Sequence, residues 1–133
     1  MSLKVMIVES DWSLAHQAED YLESRAHHVC RVIRPAEALT KAEHWGPDLV
    51  IVSAEYTENG LLEELHALPQ APAVLLTGSM DRYDLAWRAW QRGGHELLLK
   101  PIFRTSEMRS AIITAMENHA AGTRIETPQV ATA

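Results

Sequence analysis

Five short apolar runs alternate with stretches that carry apolar residues at helical spacing, and this alternation limits the fold more than any other feature of the chain. The runs cover residues 3–8, 28–33, 48–52, 73–77 and 96–101. Runs this short and this apolar suit strands buried on both faces. Helix signals lie between them. Ser10 or Asp11 can cap a helix whose inner face is Leu14, Ala18, Tyr21 and Leu22. Pro35 can open the next, with Ala38, Leu39 and Ala42 inward and Gly46-Pro47 as its stop. Leu61, Leu62, Leu65 and Leu68 form a third stripe closed by Pro69. Residues 81–91 read as a fourth helix ended by Gly93-Gly94. Residues 105–119 read as a fifth, with Met108, Ile112, Ile113 and Met116 inward. Strand–helix alternation with short loops predicts an α/β fold, a doubly wound parallel sheet covered by helices on both faces. Functional groups in such sheets gather at the carboxyl ends of the strands. Here those ends are Glu9-Ser10, Ser53, Thr77 and Lys100.

The 133 residues suit one domain, expected over residues 1–120, with 121–133 ("AGTRIETPQVATA") as a tail or linker. The formal charge of −6 argues against a grip on nucleic acid, which needs a basic surface. A lone cysteine, Cys30, cannot form an internal disulfide and reads as a small buried hydrophobe in a reducing compartment. No apolar run reaches membrane-spanning length, so a cytoplasmic protein without membrane contact is expected. The seven histidines show no paired zinc spacing, and no metal site is expected from them.

The strand ends carry a resemblance. "VES" places Glu9 and Ser10 after the first strand, "PDLVIVS" places Ser53 after the third, "LLTG" places Thr77 after the fourth, and "GGHELLLKP" places Lys100 and Pro101 at the fifth. In this order and spacing they resemble the receiver domain of two-component response regulators over residues 4–118. The resemblance implies the CheY-like (flavodoxin-like) fold, strand order 2-1-3-4-5 with five helices, and a cis bond before Pro101. It also implies phosphorelay signal transduction through protein contacts.

The departures fall where the family's chemistry sits. Receivers carry an acidic pair where this chain has Glu9 and Ser10, and a phosphoacceptor aspartate where it has Ser53. A carboxylate can form an acyl phosphate; a serine hydroxyl cannot. Mg²⁺ prefers carboxylate oxygens, so two hydroxyl replacements should leave its binding weak or absent, and no cofactor is expected. The switch aromatic of receivers is replaced by Leu97. Thr77 and Lys100 remain, and Lys100 should pair with Glu9. The chain is therefore expected to be an atypical pseudo-receiver, not an enzyme, acting as a phosphorylation-independent interaction module. Alternatives are a receiver phosphorylated or metal-bound through a substitute acid, Asp11 or Glu55, and a small α/β enzyme. The second alternative lacks a glycine-rich phosphate loop and a nucleophile elbow.

By the same resemblance the edge formed by the fourth helix, fifth strand and fifth helix would meet a signalling protein, an effector domain or a second copy. Ala86, Trp90 and Leu97 are its candidate contacts, with Trp87 turned inward. Trp12 and Trp45 read as packing residues.

Overall fold

The structure is a computed structural model and describes residues 2–102 and 104–122. The elements run β1 (Lys4–Val8), α1 (Trp12–Ser24), β2 (His28–Arg31), α2 (Ala38–Trp45), β3 (Leu49–Ser53), α3 (Leu61–His66), β4 (Ala73–Ser79), α4 (Tyr83–Arg92), β5 (Glu96–Lys100) and α5 (Thr105–Ala121). Single 3-10 turns at Pro35–Glu37, Ala54–Thr57 and Met80–Arg82 lead into or between them. All strands pair in parallel, in the order β2-β1-β3-β4-β5. The fold is the doubly wound sheet that the alternation and the resemblance imply.

Side chains alternate across a strand, so each central strand feeds two cores. Met6, Val8, Val50, Val52, Val74 and Leu76 pack toward α2, α3 and α4. Val5, Ile7, Leu49, Ile51, Ala73 and Leu75 pack toward α1 and α5. Burial on both faces explains why these strands read as unbroken apolar runs rather than as an alternation.

Local signals place some of the helix ends. Asp11 caps α1, its carboxylate accepting the Leu14 N–H at 3.1 Å. Gly46 ends α2 in the left-handed region at φ 68°. Gly78 matters for a different reason: a Cβ there would lie 2.8 Å from the Ala86 Cβ, so its absence lets α4 approach β4. The Lys100–Pro101 bond is cis.

Several sequence expectations shift. β2 stops at Arg31, and Val32 and Ile33 lie beyond it, Ile33 exposed. β4 runs on to Ser79, and α4 starts at Tyr83, after the 3-10 turn. On α5 the inward stripe is Met108, Ala111, Ile112 and Ala115 rather than one containing Ile113, which is exposed. The apolar residues outnumber what one stripe can hold, and small alanines take the sheet side because they let the helix sit close. Cys30 is only half-buried, because β2 is the edge of the sheet. Trp12 is exposed rather than packed, and Trp45 is half-buried. The tail over residues 123–133 lies outside the described residues.

Candidate functional site

The parallel sheet brings the carboxyl ends of β1, β3, β4 and β5 to one rim, and there the strand-end residues meet. Glu9 follows β1 with its carboxylate fully buried. Its Oε2 accepts from the Lys100 ammonium at 3.0 Å and from the Asp11 N–H at 3.0 Å. Its Oε1 accepts from the Thr77 hydroxyl. A buried carboxylate is costly unless paired and hydrogen-bonded, and all of these donors serve that need. The sequence reading paired Glu9 with Lys100, and the structure places them together.

Ser53 ends β3 and is 2 % exposed. Its hydroxyl donates to Glu55 Oε1 at 3.0 Å and lies 3.3 Å from the Ser10 hydroxyl. Ser10 also donates to Glu55 Oε1. The acid two residues beyond Ser53 thus folds back over the two hydroxyls. Asp11, the other candidate substitute acid, spends its carboxylate on the α1 cap.

A cleft of about 130 Å³ opens over this rim, lined by Ser53, Glu55, Thr77, Gly78, Arg82 and Lys100 among others. Arg82 was not singled out in the sequence, because only the turn at Met80–Arg82 carries it to the mouth. There it pairs with Asp84 at 3.1 Å, and that hydrogen bond holds the Asp84 carboxyl below its usual range.

The 3-10 turn after Ser53 is tied to α4. Arg88 meets Glu58 at 2.9 Å and Arg92 meets it at 3.7 Å, while Arg92 donates to the Thr57 carbonyl at 2.8 Å. The Arg88 hydrogen bond, followed by its charge, holds Glu58 below the usual carboxylate range. Burial shows how α4 is rotated. Arg88 and Arg92 flank the helix on the β3 side, Ala86, Ala89 and Trp90 face the sheet, and Tyr83, Trp87 and Gln91 fall on the remaining flank.

That rotation corrects the expected interaction surface. Ala86, Trp90 and Leu97 are 0 %, 1 % and 3 % exposed and belong to one core cluster. Buried side chains cannot form an exposed edge. Trp87 is half-buried and lies on the outer flank, so the two tryptophans exchange the places assigned to them. Leu97 points inward, on the side of the sheet that α4 covers.

Three histidines distant in sequence also come together. His95 lies between His66 and His119, at ring-centroid distances of 5.7 and 5.1 Å. His95 Nδ1 accepts the Val74 N–H at 2.9 Å, so its proton sits on Nε2 in the neutral ring. His119 Nε2 lies 2.8 Å from the Ala71 carbonyl. No spacing rule could bring residues 66, 95 and 119 together, because three separate elements carry them. Among the described residues no group of three or more histidine, cysteine or acidic side chains is arranged to hold a metal ion. No helix among them is long and apolar enough to cross a membrane.

Compared with models of known protein families and with curated proteins, the sequence matches none. Solved structures do match. A response regulator from Thermotoga maritima is 20% identical with a TM-score of 0.70, over 88% of this chain and 99% of that one. A CheY-like response regulator receiver domain protein from Methanospirillum hungatei is 16% identical with a TM-score of 0.71, over 92% of this chain and 100% of that one. NtrX from Brucella abortus, solved in complex with ADP, is 18% identical with a TM-score of 0.78, over 92% of this chain but 28% of that one. The likeness is one of fold: the chain folds as a CheY-like response regulator receiver domain does.

Proposed function

We propose that the chain is a signalling module that keeps the receiver scaffold and works without phosphoryl transfer. One observation carries this reading. Ser53 stands at the end of β3, and Thr77 and Lys100, the groups a receiver would turn toward a phosphoryl group, are both bonded to Glu9. The internal ion pair occupies the place of an external ligand.

The residues present do not fit Mg²⁺. Both oxygens of Glu9 accept from protein donors, one of them an ammonium, and the Ser10 and Ser53 hydroxyls donate to Glu55. A hard divalent ion needs those oxygens free and would be repelled by Lys100. We therefore assign no cofactor and at most weak metal binding. Nor do we assign an enzymatic activity: the Ser53 hydroxyl meets Glu55 and Ser10, and no histidine base contacts it among the described residues. The partner is a signalling protein, an effector domain or a second copy, in a cytoplasmic setting. On the edge between α4 and β5 the residues offered are Tyr83, Trp87 and Gln91 instead of Ala86, Trp90 and Leu97.

A second reading has one observation in its favour: Glu55 keeps a carboxylate at the cleft mouth, where it could stand in for the missing acceptor. One experiment separates the two. The full chain is incubated with acetyl phosphate, and separately with beryllofluoride, each with Mg²⁺, while intact mass and amide spectra are followed. An unchanged mass and spectrum support the first reading. An acyl phosphate on Glu55 or Asp11 establishes the second and defeats the first.

A further inference from the structure

A basic and apolar patch lies at the outer, β2 end of the same rim, where the edge strand finishes. A groove of about 650 Å³ runs between the end of β2 and α2, lined by Arg31, Ile33, Arg34 and Lys41 among others. Ile33, two residues beyond the end of β2, is 67 % exposed. Arg31 joins the groove to a second exposed apolar group: its guanidinium lies 4.4 Å from the ring centroid of Trp12, which is also 67 % exposed.

The charges around Ile33 do not cancel. Arg31 is held by Glu19 at 3.3 Å, but Arg34 touches Glu37 only at 4.0 Å and its side chain is 81 % exposed. Lys41 is exposed and has no ion-pair partner among the described residues. Glu37 is the acid lining the groove. Three cations thus face two acids here, a local positive balance on a chain of net charge −6.

We infer that this patch is a docking surface for an acidic segment of a partner protein that carries a large apolar side chain. The apolar side chain would cover Ile33 and reach toward Trp12, and its flanking carboxylates would meet Arg34 and Lys41. Aromatic and arginine side chains around an apolar centre are the composition from which binding hot spots are built. Nucleic acid fits less well, since a phosphate backbone is tracked by a stripe of cations, and this cluster is short, apolar at its centre and set on an acidic chain. The inference is independent of whether the β3 end can be phosphorylated.

The test uses the full chain and a displayed random-peptide library. The expected result is enrichment of peptides with several aspartates or glutamates around one large apolar residue. The most enriched peptide, synthesised, should shift the amide signals of Ile33, Arg34 and Lys41, and should bind more weakly as ionic strength rises. The double variant Arg34→Glu/Lys41→Glu, and separately Ile33→Asp, should each weaken that peptide by about tenfold or more. These residues are exposed, so an otherwise unchanged amide spectrum verifies that each variant is folded. No enrichment, enrichment of basic or neutral peptides, or shifts centred elsewhere would overturn the inference. So would tighter occupation of the patch by a single-stranded oligonucleotide or by a second copy of the chain.

Discussion

Lys100 Nζ lies 3.0 Å from Glu9 Oε2, an ion pair that joins the carboxyl ends of β5 and β1 across the sheet and leaves no part of the Glu9 side chain exposed. Because both groups are nearly withdrawn from water, their value lies in being paired. Losing one partner strands the other.

Lys100→Met should therefore destabilise the domain by about 3 kcal/mol, since it leaves a buried carboxylate without its cation. Adding Glu9→Gln should recover a substantial part, because the uncompensated charge disappears while Thr77 keeps an acceptor. Urea unfolding of the two variants and the parent measures both effects. Equal stability for Lys100→Met and the parent would mean that the pair is structurally idle.

An acid placed at position 53 tests the proposed lack of a metal site. Ser53→Asp places a second carboxylate beside Glu55 and should lower stability at neutral pH by about 1–2 kcal/mol through like-charge repulsion. Millimolar Mg²⁺ should return most of the loss to the variant and change the parent little. Thermal melts with and without Mg²⁺ check this, and a parent stabilised as strongly as the variant would contradict it.

Burial pushes the Glu96 carboxyl above its usual value, and the hydrogen bond from the Leu97 N–H only partly opposes the shift. The native state then holds this proton to higher pH than the unfolded chain does. Its stabilising effect is complete below the ordinary value of 4.5 and is lost as pH rises through the native value. Glu96→Gln keeps an acceptor for Leu97 and removes the ionisation. The variant should melt higher than the parent at neutral pH, with the difference shrinking below that ordinary value. A difference independent of pH would remove Glu96 as its source.

Gly78→Ala should cost about 1–3 kcal/mol, because the new methyl meets the Ala86 Cβ at 2.8 Å and α4 must move outward. Pairing it with Ala86→Gly should return part of the loss. Amide shifts confined to β4 and α4 would locate the movement.

Trp90→Ala should cost about 3–5 kcal/mol, as expected for a large side chain in a closed core. Trp87→Ala, at a half-buried site, should cost clearly less. The reverse ranking in chemical denaturation would restore Trp90 to the surface role that the structure denies it.

Much of this was legible beforehand for identifiable reasons. Strands buried on both faces run apolar through their middles, so β1, β3 and β4 announce themselves. Parallel pairing then sends Glu9, Ser53, Thr77 and Lys100 to one rim, because every strand ends there. The Glu9–Lys100 pair was expected from the resemblance, which puts both residues at strand ends on this rim. The rotation of α4 was not legible. Its stripe offers Trp87 and Trp90 to the core almost equally, and the choice goes with the close approach of Ala86 to Gly78, a contact between separate elements.

The sequence by itself determined the fold and the residue types at its rim: local periodicity sets the elements, handed crossovers limit their arrangement, and the third strand ends in a serine. Only the tertiary structure decided which face of α4 is buried, that Glu55 folds back over Ser10 and Ser53, and that Ile33 and Trp12 stand exposed, Trp12 beneath the Arg31 guanidinium. Those outcomes depend on contacts between elements far apart in the chain, and no local pattern encodes how closely two packed surfaces approach.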